Sequence, residues 1–369
     1  MARRRSLLTR FALGGVVAIA VVILVMGATI GVTETVCRGP AVSAGAAEDA
    51  NWHTVLSPDE TRNEVDSYIT YPEWSIVYAY DDFAAVTRRG SESDFGYLES
   101  IRGFWTSLCA VKRVAPQHGQ VTLDYNAMLY IIGPSFTAEM AAKGLYEDTI
   151  GALTAWIRGP QRTPEDEFAL SVADDYAHFL RQTPWYEYPF FPTLKRFWTE
   201  VPLTGGNPVR KIERRIGLSI EYAFKSVYAK AIGLLAGVSP DDLRIRSVVV
   251  DLDPSDVAAE PRIEVIRKNA NLSIIETPRY QAFTDILEKL AERGRDISEI
   301  AGNRNILVTV LSPQCAPFAL EEFKTLFIVP IQARPGWCRY ALDARVPRLT
   351  FLFHSLAQTK YEVEHVFDY

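Results

Sequence analysis

The residues best suited to acid–base or metal chemistry lie on one predicted helix. Asp175 and His178 are three residues apart, so a carboxylate and an imidazole would share one face of that helix. Metal sites in helical bundles use a similar pair, but they need two copies and further carboxylates from neighbouring helices. The sequence has one copy, and Glu73 and Glu221, each beside an apolar stripe, are the candidate partners. These four residues are the candidates for an acid–base or metal site.

A structural role for these charges is the favoured interpretation. Lys225 follows Glu221 by four residues and His178 follows Asp174 likewise, a spacing typical of ion pairs that stabilise a helix. Familiar catalytic signatures are also missing, since the sequence contains no G-x-S-x-G, Walker loop, H-E-x-x-H or C-x-x-C. We therefore predict no cofactor, and an enzyme is the less favoured class.

Two histidines near the C-terminus raise a second possibility of metal binding. Residues 348–354 and 361–368 are predicted to be paired strands, in which His354 would lie opposite Tyr361. At the rise of a β-strand, His365 would then be roughly 13 Å away along the same face. Because metal bonds to imidazole are about 2 Å long, the two side chains could not share an ion, and we predict no metal site.

Residues 183–198 form the most unusual stretch, with seven aromatic residues and three prolines in 16 positions. The favoured interpretation is a connector whose rings fill the core of neighbouring helices. An exposed segment could instead contact the outer face of a membrane or a partner protein, and a small-ligand pocket is a third possibility. The candidate docking residues are Trp185, Tyr186, Tyr188, Phe190, Phe191, Lys195 and Arg196.

The four cysteines are too few for a disulfide framework. Cys315 and Cys338 lie in predicted loops beside proline or glycine and are the candidate disulfide. Cys37 could pair with a second copy of the chain or remain free. Cys109 falls within a predicted helix, where we expect a buried thiol.

Residues 11–33 contain no charge and, at 1.5 Å per residue, are long enough to cross a hydrocarbon core of about 30 Å. Four arginines precede this segment within residues 1–10, and positive charge stays in the cytoplasm. A cleaved signal peptide is the alternative, but its apolar core should be only about 7–15 residues long. We therefore predict a single-pass anchor in a bacterial-type inner membrane, with residues 1–10 in the cytoplasm and the bulk of the chain outside.

The longest predicted helix begins near Asn207-Pro208. Residues 217–238 are the next candidate span, but Glu221, Lys225 and Lys230 would each be costly at the centre of a bilayer. We therefore predict no second span. The apolar stripe of this helix consists of Ile212, Ile216, Ile220, Phe224, Val227, Ala231 and Leu235.

The remaining pattern predicts an α+β fold in which helices come first. Residues 34–55 are small and polar and form a tether, and residues 56–237 have helical periodicity. One helix near 121–143 has a possible break at Gly133-Pro134. Residues 238–369 contain short β-branched runs and one clear helix, which indicates a mostly antiparallel sheet.

Composition narrows the class of function without naming an activity. The net charge of −6 has its signs interspersed, which argues against nucleic-acid binding. We expect a non-catalytic envelope protein for interaction or assembly, bound to the bilayer through residues 11–33, with residues 183–198 as the candidate contact for a partner protein. The alternatives are an anchored enzyme with a metal or acid–base site in the helical region, and a protein that binds a small ligand.

Overall fold

The computed structural model describes residues 27–37, 39, 52–233 and 243–369. The predicted cytoplasmic tail, the anchor up to residue 26 and most of the tether lie outside the described residues. Within the described ranges, no helix is both long enough and apolar enough to cross a membrane.

The first half of the described chain is helical. Short turns of 3-10 helix cover Pro58–Glu60, Glu92–Asp94 and Trp185–Glu187, and a π-helical turn covers Glu147–Gly151. The helices are α1 (27–36 in the described part), α2 (Glu64–Ile69), α3 (Tyr71–Arg89), α4 (Tyr97–His118), α5 (Leu123–Tyr146), α6 (Ala152–Arg158), α7 (Pro164–Leu180), α8 (Phe190–Glu200) and α9 (Pro208–Gly233).

Two four-stranded antiparallel sheets follow, with strand orders β2-β3-β1-β4 and β6-β7-β5-β8. The strands are β1 (Arg244–Val250), β2 (Glu264–Asn269), β3 (Leu272–Pro278), β4 (Ile297–Ile300), β5 (Asn305–Ser312), β6 (Lys324–Pro330), β7 (Cys338–Arg345) and β8 (Glu362–Phe367). Three helices accompany them: α10 (Pro254–Ala259), α11 (Gln281–Glu292) and α12 (Leu349–Ala357). The predicted α+β class, with helices before antiparallel sheets, is confirmed.

The C-terminal part contains the clearest errors of the sequence analysis. Residues 349–357 form α12 and not a strand, because Leu349, Leu352, Phe353 and Leu356 are buried at helical spacing in the core shared with α11. The predicted hairpin is therefore wrong, and β8 pairs with β5. The sequence analysis also missed β4 and α10, which are only four and six residues long.

The predicted break at Gly133-Pro134 is also wrong, since α5 continues through both residues. Gly133 faces α4, and a Cβ there would lie 2.6 Å from the ring of Phe104. This close approach packs α5 against α4.

The helices and the second sheet share a hydrophobic core. Tyr68 and Tyr71 pack with Trp74 against side chains of β5, β6 and β8. The hydroxyl of Ser67 accepts a hydrogen bond of 2.9 Å from the amide of Leu307 and donates one of 2.7 Å to the carbonyl oxygen of Phe367. Helices α2 and α3 thus lie directly on this sheet.

Two disulfides join distant parts of the chain. Cys315 and Cys338 link the loop before β6 to the start of β7. Cys37 and Cys109 form the second disulfide, which joins the end of α1 to α4. The expectations of a buried thiol at Cys109 and of a free or intermolecular Cys37 were wrong, because α1 packs against α4 and brings the two sulfurs together.

Candidate functional site

The four candidates for acid–base or metal chemistry do not form one site. Asp175 accepts a hydrogen bond of 2.7 Å from the hydroxyl of Tyr188, whereas Glu221 pairs with two lysines. His178 is exposed, and its imidazole makes no hydrogen bond, ion pair or ring contact with any described residue. Among the described residues, no group of three or more histidine, cysteine or acidic side chains is arranged to hold a metal ion.

Glu73 is the candidate whose surroundings are unusual. It lies half-buried in the first turn of α3 and accepts a hydrogen bond of 3.0 Å from the hydroxyl of Tyr125. Burial raises the pKa of Glu73 to about 7, which the hydrogen bond from Tyr125 only partly offsets. Close by, the ring of Tyr280 lies 6.3 Å from that of Trp74, and Tyr280 has a φ of 63°, which a non-glycine residue adopts only under strain.

The largest group of buried charges lies between α9 and the helices beside it. The guanidinium of Arg210 is 1 % exposed and contacts the carboxylates of Asp166 at 2.9 Å and Glu213 at 3.0 Å. Burial would raise the pKa of Asp166, but Arg210 and Arg158 outweigh it and lower the pKa. Arg210 also donates to the hydroxyl of Thr154 on α6.

The same buried face of α9 carries three more cations with partners. Arg214 pairs with Glu147 at 2.6 Å, and Arg215 pairs with Glu165 at 3.0 Å. Lys211 also pairs with Glu165, at 3.2 Å. We call the whole set the α9 charge network, which comprises Arg158, Arg210, Lys211, Arg214 and Arg215 with Glu92, Glu147, Glu165, Asp166 and Glu213.

A second group of charges continues along α9 towards its C-terminus. Lys225 pairs with Glu139 of α5 at 2.8 Å and with Glu221 at 3.1 Å, so the pair predicted at helical spacing is present. Burial would raise the pKa of Glu221, but Lys143 and Lys225 lower it to about 2. The ammonium of Lys225 also lies 5.2 Å from the ring centre of Tyr176. Three charges argued against this helix as a membrane span. Glu221 and Lys225 point inward and are paired, whereas Lys230 is exposed.

The opposite face of α9 is exposed and apolar. An apolar helix stripe normally packs against the protein core. Here the stripe points outward: Ile220 is 65 % exposed and Phe224 is 70 % exposed. Every exposed residue of α9 from Val209 to Val227 is apolar, over a length of about 27 Å at the rise of an α-helix.

Neighbouring elements extend this face on both sides. On one side, the indole of Trp198 on α8 donates a hydrogen bond to Ser219 of α9, which places Trp198 beside the stripe. On the other side, α6 packs on α9 through Thr154 and leaves Trp156 80 % exposed. We call the exposed apolar side chains of α6, α8 and α9 the apolar surface, whose members are Leu153, Trp156, Ile157, Phe191, Trp198, Val209, Ile212, Ile216, Ile220, Phe224 and Val227.

The candidate docking residues of 183–198 divide into two groups. Tyr188 and Phe190 are buried against Tyr176, as the interpretation of a core-filling connector requires. The half-buried Trp185 stacks on Tyr228 of α9, and Tyr186 packs against the same core. The exposed residues are Phe191, Lys195 and Arg196, all on α8. Phe191 belongs to the apolar surface.

A small cavity lies between α3, α7 and α9. Its volume is about 40 Å³, and its lining includes Tyr80, Glu92, Lys143, Phe190 and Lys225. Pockets for organic ligands are typically several hundred Å³ in volume. This cavity has room for water molecules and not for such a ligand.

The histidines of the C-terminal part and of α4 differ in their surroundings. His354 is exposed on α12, whereas His365 is buried on β8, with its ring 3.9 Å from that of Trp74. His118 lies between Glu64, at 2.8 Å, and Asp343, at 3.7 Å. Burial would lower the pKa of His118, but the two carboxylates outweigh it and raise the pKa to about 9.

Periodicity in the sequence revealed the apolar stripe of α9, but it did not reveal that the opposite, charged face of α9 is the buried one. The signal for the α9 charge network was the spacing of Arg210, Lys211, Arg214 and Arg215, which places four cations on one helix face. Their partner Glu92 is 122 positions from Arg214 in the chain, so helix periodicity alone could not pair them.

Comparisons with known proteins identify no relative. No protein-family model matches the chain, and neither a curated protein nor a solved structure shows significant similarity to it.

Proposed function

We propose that this protein is a non-catalytic envelope protein that is anchored by residues 11–33 and acts by binding through its apolar surface. The folded part lies outside the cytoplasm of a bacterial-type cell and the arginine-rich start lies inside. The observation that carries the proposal is the apolar surface of α6, α8 and α9.

The apolar surface supports a binding role because soluble monomers rarely expose large contiguous apolar patches, and larger ones mark interaction sites. The helices beneath it are held rigidly. The single side chain of Arg210 connects α9 both to α6, through Thr154, and to α7, through Asp166. A preformed surface loses little conformational entropy on binding.

A second candidate function is acid–base catalysis at Glu73. Its pKa of about 7 would allow proton transfer near neutral pH, and the strained Tyr280 lies close to the neighbouring Trp74. The hypothesis of a metal site built from Glu73, Asp175, His178 and Glu221 has no support from their positions. Binding of a small ligand has little support from a cavity of about 40 Å³.

Complementation separates binding from catalysis. Cells that lack the protein would receive the full chain, the Ile216→Asp/Ile220→Asp variant or the Glu73→Gln variant, and recovery from the envelope defect of the deletion would be scored. We expect Glu73→Gln to restore the wild-type state and the double variant to fail, because it places two charges on the apolar surface. Phe351→Asp, at an exposed phenylalanine of α12, is the matched control and should restore function.

Two results would overturn the proposal. One is restored function with Ile216→Asp/Ile220→Asp at a normal level of protein. The other is loss of function with Glu73→Gln in a chain that has kept both disulfides, which would favour catalysis.

A further inference from the structure

We infer that the apolar surface lies on the outer leaflet of the membrane that holds the anchor, with the exposed face of α9 against lipid. The inference names the partner of the surface and rests on the proposed function for its anchor.

The first argument is the orientation of α9. A helix in water turns its charges outward and its apolar side chains inward, whereas a helix against lipid does the reverse. Helix α9 buries Arg210, Arg214 and Lys225 and exposes Ile216, Ile220 and other apolar residues over about 27 Å. Such a helix has one surface that water disfavours and lipid favours.

The second argument is the lack of hydrogen-bonding groups on the stripe. Protein interfaces carry about one hydrogen bond per 100–200 Å². Between Val209 and Val227, every exposed side chain of α9 is apolar and offers neither a donor nor an acceptor. A partner protein would find no polar contact along this line, whereas the acyl chains of a lipid require none.

The third argument is the chemistry at the border of the surface. Trp156 and Trp198 are 80 % and 50 % exposed, and tryptophan is enriched at the level of lipid headgroups. Lys195 is exposed three residues before Trp198 on α8, and the exposed Lys230 lies 5.9 Å from the ring centre of Phe191. Apolar and aromatic residues bordered by lysine are the composition of a membrane-surface site.

The fourth argument is the path of the chain from the anchor. The Cys37–Cys109 disulfide joins the end of α1 to α4, and the carboxylate of Glu34 contacts Lys112 of α4 and Tyr130 of α5. Helix α5 in turn pairs with α9 through Glu139 and Lys143. A continuous series of contacts therefore connects the described end of the proposed anchor, through α4 and α5, to the helix that carries the apolar stripe.

Photo-crosslinking of the full chain tests the inference. The photoreactive amino acid p-benzoylphenylalanine would replace Phe224 on α9, or Phe351 on α12 as a matched control, since both side chains are exposed. Each chain would be reconstituted into vesicles of phosphatidylethanolamine and phosphatidylglycerol, irradiated and analysed by mass spectrometry. We expect at least about tenfold more lipid adduct at position 224, because an interfacial helix buries its apolar face at the boundary of the acyl chains.

A second variant tests whether the surface itself causes the contact. Ile220→Glu places a charge one turn from position 224 and should lower its lipid adduct several-fold. Val265→Glu, at an exposed position on β2, should leave that adduct unchanged. Both substituted positions are exposed, and an unchanged urea-unfolding midpoint would show that the fold of each variant is intact.

The possible outcomes separate the inference from the proposed function. Lipid adducts at position 224 that Ile220→Glu removes support the inference. Adducts to a second copy of the chain, or no adduct at position 224 in a chain that stays in the vesicles, would overturn it and leave the anchor standing. Recovery of the chain outside the vesicles would overturn the anchor, and with it the proposed function.

Discussion

Burial and pairing shift the pKa values of single ionisable groups of this protein in opposite directions. At Glu73, the raised pKa means that the folded state binds a proton more tightly than the unfolded chain does. At His118, two carboxylates stabilise the charged imidazole, and its pKa is also raised. Both groups therefore make the free energy of unfolding fall as the pH rises, between about 4.5 and 7 for Glu73 and between about 6.5 and 9 for His118.

For Glu73, the carboxyl should lower stability above pH 7 and have little effect below its unfolded pKa of about 4.5. We expect Glu73→Gln to stabilise the fold by about 1–2 kcal/mol at pH 8, after allowance for partial exposure, and to be nearly neutral at pH 4.5. Urea unfolding of both chains at the two pH values measures this difference. An equal change in the free energy of unfolding at both pH values would show that Glu73 does not bind a proton more tightly on folding.

For His118, the contribution is complete below pH 6.5 and is lost as the pH rises through about 9. We expect His118→Ala to cost about 2–4 kcal/mol at pH 6, because Glu64 and Asp343 lose their shared cation. The cost should be smaller at pH 10, where the wild-type imidazole is neutral. Urea unfolding at both values checks this, and a cost independent of pH would contradict it.

The elements differ in how far the sequence predicts them. Residues 306–311 form a short, largely β-branched run that predicts a strand, and β5 covers Asn305–Ser312. The apolar run of α12 fits either a helix or a buried strand, and only its burial against α11 decides between them. For α9, periodicity located the apolar stripe but could not show that the stripe faces outward, since that depends on partners such as Glu92 far away in the chain.

The orientation of α9 leads to a prediction that compares its two faces. Arg210→Met should cost about 3–5 kcal/mol, because the buried carboxylates of Asp166 and Glu213 lose their partner. Ile212→Ser should change stability by no more than about 0.5 kcal/mol, because Ile212 is 60 % exposed and the two residues have similar helix propensities.

Urea unfolding of the full chain in a mild detergent would compare these two variants with the wild type. A larger loss from Ile212→Ser than from Arg210→Met would show that the apolar face of α9 is in fact its buried face.

At the scale of the whole molecule, covalent and packing contacts hold the parts together. Ser67 and Tyr68 of α2 fix the helical region to the second sheet, and the Cys37–Cys109 disulfide fixes α1 to the helical region. The sequence predicted the order of the helical and sheet parts, because hydrophobic periodicity is a local property. The anchor, most of which lies outside the described residues, stays a prediction. It could not reveal the Cys37–Cys109 pairing, because 72 positions separate the two residues and only the packing of α1 on α4 joins them.

The central claim is that the folded part of the chain lies outside the cytoplasm. Disulfides persist in oxidising compartments and are rare where thioredoxin and glutathione keep thiols reduced. The state of the four cysteines in native membranes therefore reports the compartment directly.

Intact cells would be quenched with acid, their thiols alkylated without reductant, and the peptides of the full chain identified by mass spectrometry. We expect Cys37 linked to Cys109 and Cys315 linked to Cys338, with no alkylated cysteine. Alkylation of all four cysteines would place the folded part in a reducing compartment and contradict the account.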